Sequence, residues 1–158
     1  MVDSEIALGF ARTADAPELA LMSRDLIEAG LGWAYRADRM AQYIGDPDAV
    51  VLVARDRQLL AGFAVMRFGD TRAHLVLLAV ALPYRRRGIA LRMLAWLAES
   101  AQVAGIASLH VELRAGNAPA RALYRAAGFG ETLRIEGYYR GRETAVRMLR
   151  QLRAGLAS

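Results

Sequence analysis

A basic turn that contains one glycine offers the clearest chemistry in this sequence. Arg85, Arg86 and Arg87 precede Gly88, and an apolar stripe at helical spacing begins at Ile89. The first amides of a helix lack internal partners and carry the positive end of the helix dipole. Because Gly88 has no side chain, an anion can approach the backbone closely. The pattern therefore predicts a binding site for a phosphate or diphosphate group.

Two core elements must flank this turn. An unbroken apolar run from Leu75 to Leu82 predicts a strand that is buried on both faces and ends at Pro83. The helix after the turn is expected to reach about Ala104. The turn lacks the Lys-Ser/Thr of a nucleotide P-loop and the three glycines of a dinucleotide fingerprint. A solvated basic turn that only joins the two elements is therefore an alternative interpretation.

The composition of the 158 residues predicts one domain spanning residues 1–158. Hydrophobic residues make up 55% of the chain, which argues against disorder. No apolar run approaches the roughly 20 residues that span a bilayer, and the acidic N-terminus is unlike a secretory signal. With no cysteine and two histidines, we expect no metal site. The sequence thus predicts a cytoplasmic protein without a membrane partner.

The positive charge is concentrated in the second half of the chain. All 21 basic residues are arginines, and the net charge is −3 over residues 1–80 and +8 over residues 81–158. The basic half is therefore expected to carry the anion contacts. A nucleic-acid surface is an alternative, but the arginines are dispersed and the usual motifs are absent, so we expect no specific nucleic-acid partner.

Apolar periodicity predicts elements in the order β-α-α-β-β-β-α-β-α-β-β. The predicted strands are Ile6 to Arg12, Ala49 to Ala54, Leu59 to Phe68, Leu75 to Leu82, Ser108 to Arg114, Phe129 to Ile135 and Arg142 to Leu152. Helices are expected to begin near Asp15, Ala37, Ile89 and Asn117. This order predicts one α+β domain with a mixed sheet and helices on both faces.

Two motifs resemble those of the GNAT superfamily of acyl-CoA N-acyltransferases. Arg85-Arg86-Arg87-Gly88-Ile89-Ala90 fits that family's Arg/Gln-x-x-Gly-x-Gly/Ala turn, which holds the pyrophosphate of CoA. Asn117-x-x-Ala120-x-x-Leu123-Tyr124-x-x-x-Gly128-Phe129 is similar to its closing helix. The resemblance covers residues 6 to about 150. It implies a single GNAT-type domain with a mixed, mostly antiparallel sheet of about seven strands, and acetyl-CoA as co-substrate.

The C-terminal half is also similar to the RimI-type branch, whose members acetylate the N-terminal alanine of a small-subunit ribosomal protein. The matching residues are Glu112-Leu113-Arg114, Asn117, Leu123-Tyr124, Tyr138-Tyr139 and Gly141-Arg142-Glu143-x-Ala145-x-x-Met148. Ile135-Glu136-Gly137 stand where the branch has an arginine, and Gly32-Trp33-Ala34-Tyr35 departs from it. The resemblance implies acetyl transfer to a primary amine, either a protein N-terminal amine or a small-molecule amine.

The resemblance also implies catalytic roles for Glu112 and Tyr124. An amine must lose a proton before it attacks, and Glu112, at the branch's base position, would accept that proton through a water. Tyr124 would donate a proton to the leaving CoA thiolate, since the pKa of a thiol is about 8.5. From the residues alone, Glu112 is equally a solvated acid or the partner of Arg114, and Tyr124 is equally a core aromatic residue.

The resemblance also implies which residues bind the two substrates. The cofactor-binding residues would be Leu78, Ala79, Val80, Arg85, Arg86, Arg87, Gly88, Ile89, Ala90, Leu91 and Asn117. The backbone near Leu78 would pair with the pantetheine amides and stabilise the thioester oxygen. The acceptor pocket would be lined by Trp33, Tyr35, Tyr138 and Tyr139. Core positions for the first two and an exposed turn for the other two are the alternatives.

Other classes of function stay open at this point. An acyl-CoA-binding sensor without catalysis would keep the turn but would not need Glu112 or Tyr124. A nucleotide- or RNA-binding module would depend on charge alone and bind with a steep salt dependence. An exposed final strand could pair between subunits, so a homodimer is also an expectation.

Overall fold

A computed structural model describes residues 5–139 and 143–152 of the chain. The strands are β1 Ile6–Phe10, β2 Ala49–Asp56, β3 Leu59–Phe68, β4 Arg72–Val80, β5 Ser108–Arg114, β6 Gly130–Tyr139 and β7 Glu143–Gln151. The helices are α1 Ala16–Leu26, α2 Ala37–Gly45, α3 Ile89–Val103 and α4 Ala118–Ala126. Over this part of the chain, the seven strands form one sheet in the order β1-β2-β3-β4-β5-β7-β6. Among the strands of the described residues, only β4 and β5 pair in parallel, which confirms the mixed, mostly antiparallel sheet.

Helices cover both faces of the sheet, and each face has its own core layer. Leu19 of α1 and Met40 of α2 pack with Phe63 on one face, whereas Ile89 and Met93 of α3 belong to the other layer. Each of these five side chains is at most 1% exposed. Burying a side chain of this size stabilises the fold by about 1.5–3 kcal/mol. No helix in the described ranges is long and apolar enough to cross a membrane.

Several strand boundaries differ from the predicted ones. β1 ends at Phe10 because a short 3-10 turn follows, in which the Asp15 carboxylate accepts a hydrogen bond from the Arg12 amide at 2.8 Å. β4 begins at Arg72, before the apolar run, since its pairing with β3 and β5 extends to polar residues. β6 extends to Tyr139 because its ladder with β7 continues.

A bulge in β4 decides the geometry at the centre of the sheet. Val65 pairs with Leu77 and Met66 pairs with Leu75, so Val76 is an extra residue in β4. A bulge bends its strand and increases the local twist. The parallel ladder between β4 and β5 ends at Leu75 and Val111, and no further pair joins these strands within the described residues. The two strands therefore part beyond the bulge, and a gap opens between them.

The expectation that β4 is buried on both faces is wrong. Leu77 and Ala79 are buried, but Val76, Leu78 and Val80 are only half-buried. These three residues line the gap or the cavity next to it. The apolar run is thus continuous because one face meets the core and the other meets a cleft.

Candidate active site

The basic turn presents its backbone to open space. Gly88 precedes the first residue of α3 and has a left-handed φ of 76°, and Arg86 is also left-handed with a φ of 64°. Such a conformation costs a residue with a side chain about 1–2 kcal/mol, and strain of this kind concentrates at functional sites. A Cβ built on Gly88 meets no atom within 4 Å. The unpaired amides of α3 therefore begin beside a space that an anion can enter.

We call this space the turn cavity. Its lining includes Leu78, Ala79, Val80, Tyr84, Arg85, Arg86, Gly88, Ile89, Ala90, Leu91, Asn117, Pro119, Ala120, Leu123 and Tyr124. The cavity brings together the predicted cofactor-binding residues other than Arg87. The Arg87 guanidinium lies instead 5.3 Å from the centre of the Tyr84 ring.

Contacts of Tyr84 and Arg85 hold the turn against the sheet. The Tyr84 hydroxyl donates a hydrogen bond to the Asp56 carboxylate at the end of β2, at 2.8 Å. This hydrogen bond raises the pKa of Tyr84 above its ordinary value. Arg85 Nε donates to the Val80 carbonyl at 3.0 Å. No local sequence pattern indicated a role for Tyr84, because its hydrogen-bond partner Asp56 lies 28 residues away along the chain.

The gap between β4 and β5 joins the turn cavity to another cavity. We call the space between the strands the central gap, and it shares Leu78, Asn117, Ala120 and Tyr124 with the turn cavity. On its other side it shares Leu75, Val76, Leu77, Val111 and Glu112 with a cavity that contains three tyrosines. That tyrosine cavity is lined by Glu28, Leu31, Gly32, Ala34, Tyr35, Arg39, Tyr43, Arg67, His74 and Tyr138 as well.

The sizes of the two outer cavities suit small ligands. The turn cavity has a volume of about 590 Å³ and the tyrosine cavity about 530 Å³. Ligand pockets commonly have volumes of about 300–1,000 Å³. A group that reaches through the central gap from one cavity would meet a second ligand in the other.

Tyr124 stands where the turn cavity meets the central gap. It is 6% exposed and lies on α4, with its ring 5.4 Å from that of Phe129 in an edge-to-face arrangement. At the start of α4, the Asn117 side-chain oxygen accepts a hydrogen bond from the Ala120 amide at 3.2 Å. Asn117 therefore caps α4 while also lining the cavity. Tyr124 is at once a core aromatic residue and a cavity residue.

Glu112 lies on β5 between the central gap and the tyrosine cavity. Its Oε1 accepts a hydrogen bond from the Tyr138 hydroxyl at 2.7 Å, and its Oε2 accepts one from Arg147 Nε. Burial raises the pKa of Glu112, but the hydrogen bonds from Tyr138 and Arg147 outweigh it and hold the pKa below its ordinary value. Its charged partner is Arg147, directly across the β5–β7 ladder, whereas Arg114 lies near Glu143. The carboxylate is therefore ionised at neutral pH.

The predicted acceptor residues take different positions. Tyr35 and Tyr138 line the tyrosine cavity. Trp33 packs against the core layer of α1 and α2, where its indole donates to the Ala20 carbonyl at 3.2 Å and the Arg36 guanidinium lies 4.8 Å from its ring centre. The Tyr139 side chain, like Gly141 and Arg142, lies outside the described part of the chain.

Glu28 is a residue of the site that the sequence did not indicate. This 7% exposed carboxylate accepts hydrogen bonds from the Ser23 hydroxyl at 2.8 Å and from the amides of Ala34 and Tyr35 at 2.6 and 3.2 Å. It thereby fixes the segment between α1 and α2 that forms one wall of the tyrosine cavity. No local pattern distinguishes it from an exposed helix-end acid.

The candidate site contains no group of metal ligands. Within residues 5–139 and 143–152, no three histidine, aspartate or glutamate side chains lie close enough to hold a metal ion. His74 and His110 stack with ring centres 5.4 Å apart. Burial and the nearby Arg67 hold the pKa of His74 below its ordinary value.

Comparisons with known proteins agree on one family. The family model described as "Acetyltransferase (GNAT) family" matches residues 20–129. The [ribosomal protein bS18]-alanine N-acetyltransferase of Escherichia coli K12 is 37% identical over 92 residues, which cover 56% of this chain and 62% of that protein. The Salmonella typhimurium protein of the same name is 36% identical over 100 residues, which cover 61% and 66%. The chain thus matches less than two thirds of the length of these curated relatives.

Solved structures extend the likeness over nearly the whole chain. The crystal structure of the ribosomal-protein-S18-alanine N-acetyltransferase from Escherichia coli has a TM-score of 0.83 and 26% identity, covering 97% of this chain and 98% of that one. Arabidopsis thaliana NAA60 in complex with acetyl-CoA has a TM-score of 0.82 and 19% identity, covering 92% and 98%. At 19% identity, the similarity to NAA60 is one of fold alone.

Proposed function

We propose that this chain, which belongs to the acetyltransferase (GNAT) family, transfers an acetyl group from acetyl-CoA to a primary amine. One observation carries the proposal: the central gap connects the turn cavity, where an anion can bind, with the cavity that Glu112 borders. Two substrates bound from opposite sides would meet in the gap. Holding two reactants in this way removes much of the entropic cost of a bimolecular reaction.

The turn cavity fits the CoA portion of acetyl-CoA. The amides from Arg86 to Leu91 would bind the diphosphate, helped by the α3 dipole and by the nearby arginines. The open space at Gly88 supports this assignment, because a phosphate oxygen needs that space to reach the amides. Beyond Leu75 the backbone of β4 has no β5 partner among the described residues, so Leu78 to Val80 can pair with an extended amide-bearing arm.

Glu112 would help the acceptor amine to lose its proton. Acetyl-CoA supplies the acetyl thioester. Because hydrogen bonds keep Glu112 ionised, its carboxylate can hold a water that accepts the proton from the ammonium group. An α-ammonium with a pKa of about 8 needs less help than a lysine side chain with a pKa of about 10.4. This difference favours an N-terminal amine over a lysine.

Tyr124 would supply the proton that the departing sulfur needs. Its position between the turn cavity and the central gap supports this role, since its phenol can donate a hydrogen bond to a thiolate there. Asn117 would contact the pantetheine arm with its remaining amide donor. The acceptor would lie in the tyrosine cavity between Tyr35 and Tyr138.

A protein N-terminus is the acceptor that the relatives favour. The names of the curated relatives specify an alanine of ribosomal protein bS18 as their substrate. The acceptor side of this chain departs from the RimI-type branch at Trp33 and at the residues before Tyr138, so a small-molecule amine is retained as the other acceptor class. Cytoplasmic location, a single domain over residues 1–158 and homodimer formation stay predictions.

A specific observation supports a second function, that of a non-catalytic acyl-CoA-binding sensor. Both oxygens of Glu112 already have partners, and a carboxylate with a lowered pKa is a weak base. A sensor would keep the turn cavity and would tolerate this arrangement.

Measuring both CoA release and acetyl-CoA binding, in the parent and in Tyr124→Phe, distinguishes an acetyltransferase from a sensor. We expect the purified chain to release CoA from acetyl-CoA in the presence of an N-terminal alanine peptide. Tyr124→Phe should lower kcat by about 100-fold or more, as loss of a proton donor commonly does, while calorimetry finds acetyl-CoA binding within twofold of the parent. Binding without CoA release across alanine peptides, lysine peptides, polyamines and aminoglycosides would support the sensor. Absence of acetyl-CoA binding would exclude both.

A further inference from the structure

Two arginines in the tyrosine cavity have no acidic partner among the residues that the structure describes. Arg39 and Arg67 both line this cavity and both are exposed. Neither forms an ion pair with any residue that the structure describes. The Arg39 guanidinium lies 4.3 Å from the ring centre of Tyr35, and Arg67 pairs across β3 and β4 with His74. Their donors therefore face a ligand space that is walled by aromatic rings.

The two acidic residues that line the same cavity already accept hydrogen bonds from protein groups. Glu28 is bound by the Ser23 hydroxyl and by two backbone amides. Glu112 is bound by Tyr138 and by Arg147, which adds another positive charge beside the cavity. A bound ligand would therefore meet two arginines that have no acidic partner among the described residues, and carboxylates whose oxygens already accept hydrogen bonds.

The positive electrostatic potential of this cavity favours some amine acceptors over others. A cation near a bound ammonium lowers the pKa of that ammonium, which favours the neutral, nucleophilic form. The same cations repel acceptors with additional positive charge, such as polyamines. A carboxylate, in contrast, forms charge-assisted and often bidentate hydrogen bonds with arginine. The cavity thus suits a molecule that presents an amine to the gap and a carboxylate to its outer wall.

We propose that the acceptor carries a carboxylate close to its reactive amine and that Arg39 and Arg67 bind that carboxylate. The inference rests on the proposed acetyl transfer and deepens it, since it names the class of acceptor. Two sources share this chemistry: a protein N-terminus with an acidic residue next to the terminal one, and a free amino acid with its own carboxylate.

A matched set of acceptors tests the inference. Peptides that begin Ala-Glu, Ala-Gln and Ala-Arg and share the remaining sequence differ only in the charge of the second side chain. Free glutamate and β-alanine form the small-molecule arm. CoA release gives kcat/KM, and the anisotropy of fluorescently labelled peptides in the presence of CoA gives binding without turnover. We expect a preference of about tenfold for Ala-Glu over Ala-Gln and a larger one over Ala-Arg, both decreasing as salt is added.

Two variants connect the preference to the named residues. Arg67→Gln and Arg39→Gln should each reduce the ratio of kcat/KM between the Ala-Glu and Ala-Gln peptides to less than about threefold. Arg134→Gln is the matched control, because Arg134 is an exposed arginine on β6 near Glu131, without an ion pair to any described residue. This control should keep the parent ratio.

Each outcome decides between the two proposals. Acetylation of all three peptides without preference, or with preference for Ala-Arg, overturns the inference and leaves acetyl transfer intact. No turnover, but binding that favours Ala-Glu through Arg67, overturns the proposed function and supports only the carboxylate-binding role of the two arginines. Neither turnover nor preferential binding overturns both. Turnover of free glutamate alone supports the inference and assigns the carboxylate to a small molecule.

Discussion

Replacing Gly88 with alanine tests whether the turn at α3 binds the diphosphate of acetyl-CoA. The substitution puts a methyl group into a position where no protein atom lies within 4 Å, so it meets no steric clash inside the protein. Two effects are expected, and they have different sizes and different readouts.

The first effect is strain in the protein without ligand. Gly88 has a φ of 76°, and alanine pays about 1–2 kcal/mol to adopt the left-handed region. For a chain of this length, each kcal/mol lowers Tm by roughly 2–4 °C, so we expect a decrease of about 2–8 °C. Thermal unfolding of the purified variant measures it.

The second effect is on binding. The new methyl group occupies the space that a phosphate oxygen needs to reach the amides of α3. Loss of this contact should weaken acetyl-CoA binding by at least about tenfold, or about 1.4 kcal/mol. Isothermal titration calorimetry at a temperature well below both Tm values measures this loss separately from stability.

Gly30→Ala is the matched control. Gly30 also has a left-handed φ, of 81°, and its Cβ would also meet no atom within 4 Å. It lies between α1 and α2 and is not among the residues that line the turn cavity. Gly30→Ala should therefore lower Tm by a similar amount and leave the Kd for acetyl-CoA within twofold. If Gly88→Ala shows the same loss of Tm and the same unchanged Kd, the turn does not bind the diphosphate and the reasoning fails.

Three more predictions follow from contacts around the site. Arg147→Gln removes a hydrogen bond and a positive charge that lower the pKa of Glu112. Since the proposed mechanism needs ionised Glu112, activity should be lost as the pH falls through that pKa, and the acid limb of the kcat/KM profile should move to higher pH. Glu28→Gln leaves a buried amide among three hydrogen-bond donors, which should lower the free energy of unfolding by about 1–3 kcal/mol in denaturant titrations and raise KM for the acceptor. Tyr84→Phe removes the hydrogen bond to Asp56, and should weaken acetyl-CoA binding by about threefold to tenfold in calorimetry, in line with a single hydrogen bond.

Each of these has a result that contradicts it. An acid limb that stays in place in Arg147→Gln means that Glu112 is not the titrating group. A Glu28→Gln variant with parent stability means that the carboxylate does not fix the segment between α1 and α2. If Tyr84→Phe binds acetyl-CoA like the parent, its hydroxyl does not position the turn.

Much of the fold was predictable because its signals are local. The apolar stripe that begins at Ile89 and the alternation along β5 are each set by residues a few positions apart. The turn at Gly88 was predictable for the same reason, since its glycine, its arginines and the following helix are contiguous. The resemblance to the GNAT superfamily implied that Tyr124 and Asn117 belong to the CoA site, and both line the turn cavity.

The residues that complete the site were not predictable in this way. Arg114 was one of the alternatives for a partner of Glu112, but the ladder between β5 and β7 places Arg147, 35 residues away, directly across from it. Val76 forms a bulge only because of the register between β4 and β3, which the sequence does not show. The sequence predicted β4 to be buried on both faces, because side chains that face a cleft are as apolar as side chains that face the core. Glu28 resembles any acid at the end of a helix until the segment between α1 and α2 folds back on it.

The sequence by itself determined the elements, their order and the basic turn at Gly88, because helix and strand periodicity and turn chemistry depend on neighbours along the chain. Only the tertiary structure decided where β4 and β5 part, which groups hold Glu112, and that Arg39 and Arg67 share a cavity. These features depend on pairing between segments that are distant in sequence, and such pairing is set by how whole faces of the sheet and helices pack together.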